Sequence, residues 1–262
     1  MAEKQQITVS DGALIPDRAE KSIFSAWRIS FIGAVTLLIL LPVVSPSPYL
    51  EVLVFLPDGI LRTFQVTVAS ILLALIIGLI TGLGRISKIT VINRIATIYV
   101  EVIRGIPLLV QLFYIYYALG RFVSVPRITA AIIAMSICYG AYMGEIFRAG
   151  IQAIPRGQME AALALGMSRR QALRLIILPQ TFRVILPPVG NEFIALLKDS
   201  SLVSILAVSD LLRRGREFAS VSFRYFETYT VVALCYLVLT LFFSKLVALM
   251  EERLENRGTD RS

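Results

Sequence analysis

The chain has no histidine among its 262 residues, so it lacks the side chain most often used as a neutral-pH base or zinc ligand. Its only cysteines are Cys138 and Cys235. Each stands alone in an apolar stretch, where a thiol packs as a small hydrophobe rather than closing a disulfide or a metal site. There is no G-x-x-x-x-G-K-[ST] sequence and no Gly-Lys pair anywhere, which excludes ATP binding through a phosphate loop. No strict apolar/polar alternation is sustained, which excludes an outer-membrane barrel. Internal repeats at a fixed period and low-complexity tracts are missing too. No paired carboxylates stand beside a nucleophile, so the chain reads as a non-enzyme with no cofactor or metal of its own.

Charge is also scarce. Charged residues make up 17% of the chain and hydrophobic ones 56%, with a mean hydropathy of +0.75, which is more apolar than a water-soluble domain tolerates. Several runs approach the roughly 20 apolar residues that a helix needs to cross a hydrocarbon core. The fold class is therefore all-α integral membrane, with six spans expected at Ile29–Val44, Phe64–Leu83, Tyr99–Leu119, Ile128–Ile146, Phe182–Leu197 and Tyr229–Leu249. The organisation that follows is a polar N-terminal segment 1–28, a first span with an outer loop 29–57, a core 58–250 and a tail 251–262.

Six spans put both termini on one side. Arg18, Lys21 and Arg28 before the first span and Arg85, Lys88 and Arg94 after the second make that side cytoplasmic. Arg156, Arg169, Arg170, Arg174, Arg253, Arg257 and Arg261 then fall inside as well. Lys198, Arg213, Arg214, Arg216 and Arg224 run against the rule, which suggests an interfacial or re-entrant helix between the last two spans. The net charge of +8 needs no nucleic acid to explain it, because basic cytoplasmic loops supply it and no basic stripe is interleaved with aromatics. The short first span resembles a secretory signal, but "VVSPSPYLE" is a poor cleavage site, with Pro46 and Pro48 intruding.

Between two apolar spans lies "QMEAALALGMSRRQALRLIILPQ", Gln158–Gln180. Pro155 suits the first turn of a helix, Met159, Ala162 and Leu163 fall on one face, and Gly166 suits a left-handed stop. Ser168 and Gln171 have capping-box spacing, and the second helix so begun runs as far as Pro179, which ends or kinks it. Physics alone leaves two readings open for this hairpin at 155–180: an amphipathic element lying among lipid headgroups, or a helix docked in a partner's groove.

The spacing Glu160-Ala161-Ala162, three residues, Gly166, nine residues, Ile176-Ile177-Leu178-Pro179 resembles the EAA motif of ABC importer permeases at all seven defined positions. The segments "RGIPLLVQLFYIYYAL", "GEIFRAGIQAIPRGQMEAA" and "GNEFIALLKDSSLVSILAV" look like the polar amino-acid subfamily, and the likeness covers about residues 58–250. The resemblance implies a type I importer permease in a bacterial inner membrane, with the hairpin as a coupling helix docked in a separate ATPase. Glu160, Ala161, Ala162, Gly166, Met167 and Arg169 would make that contact. It also implies an ATPase dimer holding ATP and magnesium, a second permease copy, an extracytoplasmic amino-acid-binding protein and surrounding lipid. The additional first span departs from the commoner five-span pattern. A secondary amino-acid transporter without an ATPase is the alternative; it would need a coupling-ion site and inverted repeats.

Ionisable residues inside spans are costly in lipid and mark candidate sites. Glu101 with Arg104, and Glu145 with Arg148, have the spacing of intrahelical ion pairs. Glu192 has no basic residue three or four positions away, and Pro187 and Pro188 are expected to break the helix just before it. Lys198, Asp199, Ser200 and Ser201 follow at the expected outer end of the span. With Asn191 and Glu192 they form the candidate substrate site: a zwitterion needs a carboxylate and a cation or hydroxyls close together, and Glu192 suits a basic side chain. Pairing of Glu192 across helices, and a solvated helix end at Lys198, are the plain structural readings. Phe113, Tyr114, Tyr116 and Tyr117 read as packing or interface anchors, and Gly78/Gly82 and Gly140/Gly144 as small-residue packing pairs.

Overall fold

The computed structural model describes residues 25–259, and the side chains of residues 25–254. Most of the polar segment expected at 1–28 lies outside the described residues, with Arg18 and Lys21, and so does Arg261 of the tail. The described backbone is helical throughout: α1 (Ala26–Val44), α2 (Pro46–Phe55), α3 (Pro57–Arg85), α4 (Thr90–Gly105), α5 (Leu108–Phe122), α6 (Arg127–Gln152), α7 (Arg156–Ala164), α8 (Arg169–Ala172), a π turn at Leu173–Ile177, α9 (Leu178–Asp199), a 3-10 stretch at Ser200–Leu206, α10 (Leu211–Ser222) and α11 (Tyr225–Thr259).

Five runs are long and apolar enough to cross a membrane, and α4 with α5 makes a sixth if the pair counts as one broken span. This corrects the single helix expected over Tyr99–Leu119, because α4 and α5 meet at 112°. The cause is local. Pro107 has no N–H and crowds the residue before it, so Ile106 is extended, with φ −107° and ψ 136°. Prolines elsewhere act differently. Pro187 and Pro188 lie inside a continuous α9, so the break expected there does not occur; by the i−4 rule they leave the carbonyls of Arg183 and Val184 without their usual donors. The outer loop expected up to residue 57 also differs, since α2 fills most of it.

The core is built on α3 against α6, where small residues bring two backbones into contact. A Cβ at Gly78 would fall 2.3 Å from Met143 Cβ, and one at Gly140 would fall 2.5 Å from Ile77 Cγ2. Larger side chains would hold the axes apart, and lipid gives no hydrophobic force to compensate. Val66, Ala74, Ala131, Ala134, Met135 and Met143 are fully buried along this seam. Ser136 Oγ donates to the Ile132 carbonyl at 2.6 Å, which keeps the hydroxyl satisfied inside the bundle.

The other long helices are arranged by pairwise contacts. The rings of Phe193 and Phe243 meet at 4.9 Å, and a Cβ at Gly190 would touch Val247, so α9 and α11 run antiparallel. On the far side of α11, Trp27 Nε1 donates to the Leu241 carbonyl at 2.9 Å and the Lys245 ammonium lies 5.7 Å from the Trp27 ring centroid. The start of α1 therefore points the same way as the end of α11, toward the hairpin that precedes α9. α1 is peripheral: Ala34 is its only buried residue, and Ile29, Ile32, Ile39 and Val43 are exposed.

At the opposite end, α10 carries Arg213, Arg214 and Arg216 of the basic residues that run against the charge rule. Arg213 pairs with Glu217, Arg214 with both Asp58 and Glu217, and Arg224 with Glu227. Arg214 also covers the Phe55 ring at 4.6 Å. Lys198 and Arg216 are exposed and, among the described residues, have no ion pair. Asp210 caps α10 by accepting from the Arg213 and Leu212 N–H groups, and Thr63 Oγ accepts from Leu211 N–H at 3.1 Å.

Asp210 lies between spans and is fully buried. Burial pushes its carboxyl up to about 6, against the N–H donors of Arg213 and Leu212 and the Tyr236 hydroxyl, which pull it down. A folded value above the unfolded 3.8 means that its contribution to stability is complete below about pH 4 and is lost as pH rises through about 6. The ceiling is on the order of 3 kcal/mol, at about 1.4 kcal/mol per unit. Thermal unfolding of the purified protein should therefore show wild type losing more stability between pH 4 and 7 than Asp210→Asn, which keeps a capping acceptor but no titrating group. Equal losses in the two proteins would contradict this.

Candidate functional site

The hairpin between α6 and α9 is shaped by backbone chemistry at each end. α7 closes in a Schellman arrangement: Gly166 N–H donates to the Leu163 carbonyl at 3.0 Å and Met167 N–H to the Ala162 carbonyl at 3.1 Å. Gly166 has φ +81°, with open space where a Cβ would be. The constraint there is conformational rather than steric. Ser168 and Gln171 then form a full capping box, in which the Gln171 side chain accepts from Ser168 N–H at 2.8 Å. Pro179 does not end the helix as the sequence suggests. A π turn precedes it, and Leu178 N–H reaches back to the Leu173 carbonyl, so the chain re-enters the bundle without stopping.

One side of the hairpin faces inward through Ala162 and Ala172, both buried, and Gln180 Nε2 donates to Gln158 Oε1 at 3.3 Å. The other side is open. Glu160, Ala161, Gly166 and Arg169 are exposed and Met167 is half-buried. Leu163, expected on one face with Ala162, is exposed where Ala162 is buried, and Leu165 is 82% exposed. Two leucines beside the Gly166 bend are thus presented to whatever binds there; their place next to the stop signal was the only hint in the sequence.

The second candidate region lies inside the bundle, where α4, α6 and α9 converge. Tyr139 on α6 donates its hydroxyl to Asp199 Oδ2 at 2.8 Å, and its ring lies 5.8 Å from that of Tyr142. The Arg104 guanidinium sits 5.3 Å from the centroid of Tyr142. Arg104 and Asp199 are both near enough to Glu192 for their charges to act on it. Glu192 is half-buried, and among the described residues no hydrogen bond or ion pair reaches its carboxylate. Glu192 and Asp199, seven apart, share one side of α9, so the region holds two carboxylates, one guanidinium and two tyrosines.

Not every sequence candidate joins this group. Asn191 and Lys198, also seven apart, lie exposed on an adjacent face of α9. Ser200 is buried, with its hydroxyl donating to the Leu197 carbonyl at 2.7 Å; Ser201 is half-buried. Asp199 is not at a solvated helix end but is held by Tyr139. Among the described residues Arg104 forms no ion pair with Glu101, contrary to the spacing; its guanidinium lies over the Tyr142 ring instead. Glu145 does pair with Arg148, and also with Arg85 of α3, which ties α3 to α6 near the hairpin. Arg104, Tyr139 and Tyr142 were missed as site residues, since only the packing of α4 on α6 brings Arg104 to Tyr142. Among the described residues no group of three or more Asp, Glu or Cys is gathered to hold a metal ion.

Residues 74–256 match the family described as "Binding-protein-dependent transport system inner membrane component". The probable amino-acid permease protein YxeN of Bacillus subtilis (strain 168) is 43% identical over 193 residues, covering 72% of this chain and 86% of that protein. The glutamine transport system permease protein GlnP of Escherichia coli (strain K12) is 38% identical over 201 residues, with 76% and 92% covered. The arginine transport system permease protein ArtQ of Bacillus subtilis (strain 168) is 34% identical over 204 residues, with 77% and 93% covered. A crystal structure of an amino acid ABC transporter with histidines superposes with a TM-score of 0.73 at 43% identity, covering 80% of this chain and 97% of that one. The inward-facing MetNI methionine ABC transporter, at 20% identity and a TM-score of 0.65, shares the fold.

Proposed function

The chain belongs to the family of binding-protein-dependent transport system inner membrane components, and from that premise we propose that it is the permease subunit of an ATP-driven importer of polar amino acids. It is a multi-pass inner-membrane transport subunit, and hydrolysis falls to a separate ATPase that holds ATP and magnesium as a dimer. A second permease copy, identical or homologous, completes the pathway, and an extracytoplasmic binding protein delivers the amino acid. The observation that carries this reading is the hairpin at 155–180. It is capped at both turns, anchored by Ala162 and Ala172, and open at Glu160, Ala161, Leu163, Leu165 and Arg169. A rigid helix with small residues and two apolar knobs suits a groove on a partner, and its side of the bundle, the cytoplasmic one, is where an ATPase would bind. A secondary transporter has no use for such a hairpin, and the relatives lend that alternative no support.

In this reading the cargo sits among Arg104, Tyr142, Glu192 and Asp199. Arg104 suits the α-carboxylate and Asp199 the α-ammonium, with Asn191 and Lys198 on the neighbouring face toward the second copy. Two carboxylates against one guanidinium leave the pocket one negative charge in excess, which a cationic side chain offsets in a low-dielectric setting. A basic amino acid is therefore the favoured cargo. ATP-driven closure of the ATPase dimer would draw the two hairpins together and turn the cavity outward. Such a shift requires an ATPase state that binds the two cavity forms differently.

Two outcomes test the proposal. Gly166→Val forces a β-branched residue to positive φ, at a cost of about 1–3 kcal/mol, whereas asparagine tolerates that region. Uptake driven by ATP in liposomes should fall steeply for Gly166→Val and stay near wild type for Gly166→Asn; equal uptake by both would sink the coupling role of the hairpin. Glu192→Gln should weaken arginine relative to glutamine in competitive uptake by on the order of 1.5–3 kcal/mol, the range for a hydrogen bond to a charged group. An unchanged ratio would remove Glu192 from side-chain recognition.

A further inference from the structure

Gln111 is 5% exposed inside an apolar bundle, and its carboxamide is used at both ends. Nε2 donates to the carbonyls of Ile103 at 2.5 Å and Ile106 at 2.6 Å, the groups left without helical partners where α4 stops. Oε1 accepts from Cys138 Sγ of α6 at 2.8 Å. A second tether runs alongside, since Tyr99 Oη donates to the Ile137 carbonyl at 2.5 Å. Carbonyls orphaned by a helix break carry a large cost in hydrocarbon unless the protein supplies donors. Gln111 supplies both from one side chain, one turn into the helix that follows the break, and it joins the break to α6.

Arg104 lies between the two carbonyls that Gln111 holds. Its guanidinium lies 5.3 Å from the centroid of Tyr142 on α6, and the chain turns by 112° just beyond it, between α4 and α5. We propose that Gln111 is a positioning residue: it ties the last turn of α4 to α5 and α6, fixes the angle between α4 and α5, and thereby holds Arg104 over Tyr142, beside Glu192. This rests on the reading of Arg104 as part of the amino-acid site. Cys138 has a use that its isolation in the sequence hid, as the donor that orients the amide. Without it the carboxamide could turn over and present its oxygen to the two carbonyls.

The test uses the complete importer in liposomes, with arginine and glutamine as probes. Spin labels at the exposed Ile95 and Phe122 report the α4–α5 angle, in a background of Cys138→Ser, which keeps a donor to Gln111, and Cys235→Ala. Gln111→Met, unbranched and similar in volume, should shift or broaden the label distance and raise the uptake KM about tenfold or more, as small misplacements of a substrate-holding group do. Added to Arg104→Ala, it should cause no further rise in KM, because both changes remove the same contact. Gln111→Glu, which can keep one carbonyl bond when protonated, should fall between, and it serves if the methionine variant does not fold. An unchanged label distance, or a KM loss that adds fully to that of Arg104→Ala, overturns the proposal. Wild-type KM in Arg104→Ala alone would instead overturn the substrate reading, and the label distance would still decide whether Gln111 sets the bend.

Discussion

Hydrocarbon offers no hydrogen bonds, so each peptide group inside the bilayer has to be satisfied by the protein itself. The fold follows from how the chain meets that demand wherever it departs from a straight helix. At the α4–α5 break, Gln111 donates to two freed carbonyls. Before Pro179 a π turn carries the backbone past the missing N–H. At Pro187 and Pro188 the helix simply continues. These departures lie beside the two regions with functional character: the break follows directly after Arg104, which lies over Tyr142, and the π turn joins the hairpin to the helix bearing Glu192 and Asp199. Irregular backbone is costly in a membrane, and here it sits next to the chemistry.

The seam between α3 and α6 gives those departures something rigid to work against. Gly78, Gly140 and Gly144 allow backbone contact, and Glu145 with Arg85 and Arg148 ties the hairpin end of the same two helices. Tyr139, Tyr142 and Cys138 all project from α6, so the element that is best packed also supplies the partners for Asp199, Arg104 and Gln111. The π turn leads directly into α9, and α9 carries the carboxylates. In the proposed reading the path from partner to cargo would therefore be short and continuous, a single helix between the hairpin and the candidate pocket.

Most of the architecture was legible because apolar length and capping chemistry are local properties. The spans, the capping box at Ser168 and Gln171, the bend at Gly166 and the small-residue contacts of Gly78 and Gly140 follow from spacing alone. The sequence misled where the outcome depends on tertiary context. Pro107 breaks its helix while Pro187 and Pro188 do not, although the residue type is the same. Arg104 has the spacing of an ion pair with Glu101 but lies over an aromatic ring. Tyr139 and Tyr142 carried no signal at all, since a tyrosine in a span is more often packing than site, and only the packing of α4 on α6 identifies them.

The account as a whole depends on energy entering through the hairpin from ATP rather than from an ion gradient. Uptake of labelled arginine should be measured in proteoliposomes that hold this chain with its ATPase and binding protein, with ATP supplied only on the hairpin side and ionophores present to collapse all gradients. Accumulation that persists with ionophores and stops without ATP is the predicted result; accumulation that ignores ATP and collapses with the gradients would contradict it.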